Sequence, residues 1–247
     1  MMQARDNWDT HWEHLNPVAA RIPSQLFRHR LVAAQVRTIG PTRLLDIGCG
    51  QGDLLKVLSD FVSENQLAGI ELSEKGVELS KCQVPLATIR CCDLTDPNYS
   101  PFSSSFDCLT CVEVLEHVDN PAQFLKAAVL HASAGAWIIV TVPSGPLTAF
   151  DISIGHRRHF DESYLSDVLR AAGLTDLQVR RVGFPFFNLY RFVVRIRGNR
   201  LIHDVQTFSL AKSSLSRFVL STFSFLLRFN FRFLPFGYQL IATARKP

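Results

Sequence analysis

Leu44-Leu45-Asp46-Ile47-Gly48-Cys49-Gly50-Gln51-Gly52-Asp53 is an apolar run that passes into three glycines at alternate positions and then into an acid. A buried strand that enters a glycine turn and then a helix reads this way, because glycine lets the backbone approach another group with no Cβ between them. A plain strand-to-helix turn would read the same, so the flanking chain decides. From residue 41 short β-branched runs alternate with amphipathic stretches, the rhythm of a mostly parallel sheet with helices on both faces. The strands are expected at Arg43 to Ile47, Leu67 to Glu71, Ala87 to Cys91, Phe106 to Val112, Ala136 to Val142, Asp176 to Val182 and Tyr238 to Ala244. Helices are expected to begin near Asp53, Ser73 and Pro121, and one to run from Asp161 to Ala172, acidic at its start and stopped by Gly173.

The chain has 247 residues, 47% hydrophobic and 19% charged, which excludes a disordered, collagenous or small disulfide-stapled protein. One domain is expected over 1–247. Its core is 41–183 with 237–247, capped by a helical segment at 1–40 and covered by a helical insertion at 184–236. The two extra pieces are positioned over the carboxyl edge of the sheet, where ligands of open α/β sheets bind. The net charge of +4 hides an asymmetry: residues 178–247 carry 12 basic side chains and only Asp204, together with 12 of the 19 Phe. Such a mixture suits an anionic or amphipathic partner.

Cys108-Leu-Thr-Cys111 has CxxC spacing, but residues three apart on a strand face opposite ways and cannot share one ion. No metal site is expected, and the six cysteines read as buried reduced thiols of a cytoplasmic protein. The first residues, with Arg5, Asp6, Asp9 and Glu13, lack the apolar run of a signal peptide. No segment approaches the about 20 apolar residues of a membrane span.

A dinucleotide site would want glycine at position 53, where Asp53 stands; with Asp46 it flanks the place two phosphates would occupy. A ligand carrying a positive sulfonium and no phosphate suits the loop better. Glu71, 21 residues past Gly50, ends the next strand where a ribose-reading acid belongs. Asp93 ends the third, where it could accept an adenine amino hydrogen or simply cap a helix.

Together with Glu113-Val114-Leu115-Glu116-His117-Val118 after the fourth strand and Val142-Pro143-Ser144-Gly145 after the fifth, this pattern resembles the class I S-adenosylmethionine-dependent methyltransferases and is similar to ubiquinone-pathway O-methyltransferases. The resemblance covers roughly residues 41–183 and 237–247. It implies a seven-stranded sheet ordered 3-2-1-4-5-7-6 with strand 7 antiparallel. It also implies S-adenosyl-L-methionine as cofactor, with S-adenosyl-L-homocysteine as product. Asp46, Gly48 and Gly50 would surround the methionine and ribose, Glu71 with Leu72 the ribose, Asp93 with Leu94 the adenine, and Glu113 the methionine half.

Methyl transfer from a sulfonium is largely a matter of positioning, and a base is needed only if the acceptor must lose a proton. The candidate bases are His117, His156, His159 and Glu113; His156, in Ile154-Gly155-His156-Arg157-Arg158-His159-Phe160, is the first choice, against the plain alternative of a basic loop, and His117 is kept beside it. The Arg pair could hold an acidic acceptor or anchor the cover. Asn7-Trp8-Asp9-Thr10-His11-Trp12 offers aromatic anchors that could close over the cofactor, and Arg28 could reach its carboxylate. Residues 213–232 project as one helix with a narrow stripe of Ser214, Arg217, Ser221, Ser224, Arg228 and Arg232 and a wide apolar remainder. The remainder suits burial, a subunit contact or a lipid interface. Nucleic acid is disfavoured, since the stripe is too thin to follow a phosphate backbone. The expected partner is a small-molecule acceptor methylated at oxygen or nitrogen, with peripheral membrane contact through 213–232 and the oligomeric state open. The alternatives are a lipid, quinone or nucleic-acid acceptor, or a cofactor-binding module without turnover.

Overall fold

The computed structural model describes residues 8, 9, 12, 22–96, 101, 102, 105–206, 214–231 and 234–247. Seven strands form one sheet: β1 Leu44–Ile47, β2 Leu67–Glu71, β3 Thr88–Cys91, β4 Phe106–Val112, β5 Ala132–Pro143, β6 Thr175–Val182 and β7 Gln239–Arg245. Their order is β3-β2-β1-β4-β5-β7-β6. Pairings are parallel from β3 to β5, and β7 runs antiparallel to both neighbours. Every residue of β1 and β2 is buried, as central strands covered on both faces require.

The helices, all but one of which begin where an N-terminus signal or a proline stands, are α1 Pro23–Ile39, α2 Asp53–Leu58, α3 Glu74–Gln83, α4 Pro121–Val129, α5 Ala149–Ser153, α6 Glu162–Ala171, α7 Phe186–Gln206 and α8 Ser214–Leu226. Ser73, Asn120, Thr148 and Asp161 each accept a backbone N–H three residues on, capping α3, α4, α5 and α6. Two apolar clusters sandwich the sheet. Leu45, Ile47, Cys111 and Ile138 lie in one, with α4 and α6; Leu44, Cys108, Ile139 and Ile241 lie in the other, with α1 and α2.

Cys108 and Cys111 thus face opposite sides of the sheet. Cys49, Cys92, Cys108 and Cys111 are buried, whereas Cys82 and Cys91 are exposed, so the expectation of six buried thiols is corrected: Cys82 is on the outer side of α3 and Cys91 ends the edge strand β3. β5 begins four residues before the expected Ala136: Ala132 pairs with Phe106, and three extra residues on β5 intervene before Trp137 pairs with Cys108. The helix expected over 213–232 also needs correction. It ends at Leu226, tightens into a 3-10 turn at Leu227–Phe229 and becomes extended at Asn230. The Asn230 side chain accepts from the backbone N–H of Phe186 (2.8 Å) and Phe187 (3.2 Å), so it serves the start of α7 instead of prolonging α8. Ser213, Arg232 and most of the 1–21 cap lie outside the described residues.

Candidate active site

The eleven site residues expected from the sequence line one cavity of about 1160 Å³. The loop after β1 places Gly48 and Gly50 at φ 70° and 54°, a region that β-carbons disfavour. A Cβ at Gly48 would stand 2.5 Å from Val114 Cγ2, and one at Gly50 2.5 Å from the Trp12 ring. Glu71, at the end of β2, holds this loop: its Oε2 accepts from Gly50 N–H at 2.8 Å and its Oε1 from Ser73 N–H at 3.0 Å. The Leu72 N–H and the Trp12 indole also bear on this carboxylate. Burial raises the Glu71 carboxyl above the usual range, opposed by the Ser73 and Gly50 N–H groups.

Asp46 is buried and accepts from Thr110 Oγ1 at 2.6 Å. Burial pushes its carboxyl up to about 7, the Thr110 bond opposing and the Glu71 charge adding. Asp93 accepts from both Thr95 N–H (2.9 Å) and Thr95 Oγ1 (2.6 Å), which folds a turn after β3. Its turn-forming role coexists with its place on the cavity wall, beside exposed Leu72 and buried Leu94.

On the opposite wall Glu113 sits at φ 57°. It is ion-paired with Arg28 (3.2 Å) and accepts from Thr141 Oγ1 (2.9 Å) and Gln239 Nε2 (2.7 Å). Four further groups crowd beside it. His117 and His156 meet edge to face at 4.8 Å, His156 Nδ1 lies 3.2 Å from His159 Nε2, and His156 Nε2 lies 3.9 Å from Glu116 Oε1. Burial, then the neighbouring His117, drives the His156 pKa far below the usual imidazole range. Burial likewise raises the Glu116 carboxyl, whose two oxygens have no hydrogen-bond partner within the usual distance among the described residues. Glu116, His117 and His156 each bring one donor atom within 4.8 Å of the others, as do Asp151, His156 and His159, so either trio could hold a metal ion. Arg157 pairs with Asp119, and Arg158 donates to the Tyr164 hydroxyl, so both anchor the loop.

The model of a methyltransferase-domain family matches residues 12–179. The chain belongs to that family. As a class I S-adenosylmethionine-dependent methyltransferase it is similar to the ubiquinone biosynthesis O-methyltransferase of Bordetella bronchiseptica, at 30% identity over 103 residues. That match covers 39% of this chain and 40% of the relative's length. The enzyme of the same name from Hydrogenovibrio crunogenus is 25% identical over 68% of this chain and 77% of its own length. Among solved structures, Haemonchus contortus phosphoethanolamine N-methyltransferase 2 with bound S-adenosyl-L-methionine has the same fold (TM-score 0.54, 19% identity, 83% of this chain and 49% of that one). The methyltransferase cavity fits that donor. Gly48 and Gly50 bring bare backbone to the cavity wall, where the Glu71 carboxylate would face a ribose and the Asp46 carboxyl can ionise beside a sulfonium.

The described N-terminal residues strap this site. Trp12 packs against Gly50 and Gly76, Asp9 accepts from Ser73 Oγ and Lys75 N–H, and Trp8 meets His117 edge-on at 4.8 Å. Asn7, Thr10 and His11 lie outside the described residues. The sequence reading set 184–236 over the site as a cover without singling out Tyr190, Val194 and Leu220, which with Phe223 of α8 line the far wall of the cavity. It also missed Arg191, whose two guanidinium nitrogens grip buried Asp151 at 2.7 and 2.6 Å and fasten α7 to α5. Helical spacing of 190, 194 and 197 in α7 was the available signal. Glu116 was passed over although it stands beside His117 and three residues after Glu113.

Proposed function

We propose that this methyltransferase delivers the methyl group of S-adenosyl-L-methionine to an oxygen or nitrogen of a small-molecule acceptor. The donor, when bound, supplies an electrophilic methyl on a sulfonium. The chain binds, orients and takes up a proton. The observation that carries this reading is the series of Asp46, Glu71 and Asp93 at or just past the ends of three adjacent strands, along one cavity wall. Such a series suits a nucleoside with a positive centre better than a pyrophosphate. Arg28, paired with Glu113, would hold the donor's carboxylate, and Glu113 its ammonium. The cavity exceeds the about 300–1,000 Å³ of a usual small-molecule pocket, which leaves room for an acceptor beside a nucleoside.

His117 is half-buried on the wall and is our candidate for taking the acceptor's proton. Burial holds the His156 pKa down and makes it a weak base, so its part is to orient His117, whose ring it meets edge to face. The name of the curated relatives supports oxygen as the methylated atom. The wall of Tyr190, Val194, Leu220 and Phe223 favours an acceptor with an apolar portion, such as a lipid or quinone, drawn from a membrane surface. Six cysteines without a disulfide fit a cytoplasmic location.

Labelled donor with phenolic and amine acceptors tests the reading. His117→Ala is expected to lose about 10²- to 10⁴-fold in turnover with donor affinity unchanged, and His156→Ala to lose less. Donor binding with no turnover on any acceptor would make the chain a binding module. Unchanged kcat in His117→Ala would remove the base.

A further inference from the structure

α7 and α8 are apolar on both sides. One side of each faces the cavity, through Tyr190 and Val194 of α7 and Leu220 and Phe223 of α8. The other side carries Leu189, Phe192 and Ile196 on α7, spaced 3 and 4 residues apart, and Phe218 and Phe225 on α8, spaced by 7. These stripes face solvent: Phe192 is 57% exposed, Ile196 68%, Phe218 70% and Phe225 57%. Phe229, packed on Phe225 at 5.1 Å, continues the α8 stripe at 55% exposure. Helices held in place only by packing on a core bury their apolar side and show water a polar one. Contiguous exposed apolar residues of this size mark an interaction surface.

The charge on the same segment decides the occupant. Residues 186–231 contain seven Arg or Lys and one acid, Asp204, and Arg195 and Arg228 are exposed among the apolar stripes. A second copy of the chain would bring the same positive segment against itself, which like charges oppose. An anionic bilayer satisfies both features: aromatic and aliphatic side chains enter the acyl boundary while Arg heads stay at the phosphates. No described helix is long and apolar enough to cross a membrane, so the fit is to the surface of the bilayer.

The geometry points to the outer faces of α7 and α8 as a docking surface for an anionic phospholipid bilayer. The inner faces of the same helices wall the cavity, so a docked cover sets the cavity's apolar wall against the layer that holds an apolar acceptor. This purpose rests on the methyltransferase reading; the docking itself does not. The expectation of contact through 213–232 alone is thereby extended to α7, whose Phe192 and Ile196 are exposed to an extent similar to Phe218 and Phe225 of α8.

Co-sedimentation of the full chain with vesicles of phosphatidylcholine, with and without phosphatidylglycerol, tests it. The account expects binding to the anionic vesicles, weakened by salt, about tenfold or more weaker in Arg195→Glu with Arg228→Glu, and lost in Phe192→Ser with Phe218→Ser and Phe225→Ser. Homocysteine-product affinity, read by calorimetry on each variant, should stay unchanged, which separates loss of docking from loss of the fold or of the cofactor site. Equal binding to neutral vesicles, or binding that survives the Phe substitutions, would overturn the proposal. So would a protein that ignores both vesicle types, or one that forms a dimer abolished by the same Phe substitutions.

Discussion

Asp46 and His29 are two buried ionisable residues whose environments push them in opposite senses of pH dependence. Burial raises Asp46 to about 7 and lowers His29 to about 4. The contribution of Asp46 is present below its unfolded value near 4 and is lost as pH rises toward 7. That of His29 is present above its unfolded value near 6.5 and is lost as pH falls toward 4. The two slopes oppose each other between pH 4 and 6.5. Asp46→Asn keeps an oxygen for Thr110 and removes the titration. Denaturant unfolding from pH 4 to 7 should show the variant gaining about 2 to 4 kcal/mol on the parent across that range. A constant difference between the two would mean that Asp46 is ionised at an ordinary pKa. A residue's type and spacing marked Asp46, Glu71 and Asp93 in the sequence, because strand ends are local. The crowding of Glu116, His117, His156 and His159 was not, because two separate backbone segments, one after β4 and one after α5, must fold before those groups meet.

The junction of α7 and α8 shows what a helical projection omits at the element scale. The periodicity of 213–232 continues to Arg232, yet α8 ends at Leu226 because Asn230 has partners 44 residues away in the chain. Nothing near Asn230 in sequence announces those partners. Its Oδ1 takes two N–H groups at the start of α7, and its Nδ2 donates to Leu227 O at 3.0 Å. Asn230→Ala should therefore cost about 1 to 2 kcal/mol, the usual worth of a helix cap. For a domain of this size that is a fall of about 2 to 8 °C in Tm. Scanning calorimetry checks it, and a shift under 1 °C would mean that α7 starts without this side chain. By contrast β2 and β4 have the bounds expected from their apolar runs, and α3, α4 and α6 begin at the expected caps, since a cap and the turn it serves are neighbours in sequence.

At the scale of the whole molecule, the sheet and its cover divide the labour. The acids lie along the strand ends, and the cover brings the apolar wall, the cationic charge and the exposed Phe stripes. The strands were legible in their β-branched runs, and their order came through the methyltransferase resemblance that the glycine loop and the motifs after the fourth and fifth strands carry; the cover's inner and outer faces were not legible, because both are apolar and only packing tells them apart. The central claim is that the loop between β1 and α2 receives a sulfonium nucleoside and not a dinucleotide. Titration calorimetry of the full chain with S-adenosyl-L-homocysteine and with a nicotinamide dinucleotide tests it directly, beside Glu71→Ala. The account predicts that the homocysteine product binds, that the dinucleotide does not, and that Glu71→Ala weakens the product about 10- to 150-fold, the loss of charged hydrogen bonds worth about 1.5 to 3 kcal/mol. Dinucleotide binding, or unchanged product affinity in Glu71→Ala, would contradict it.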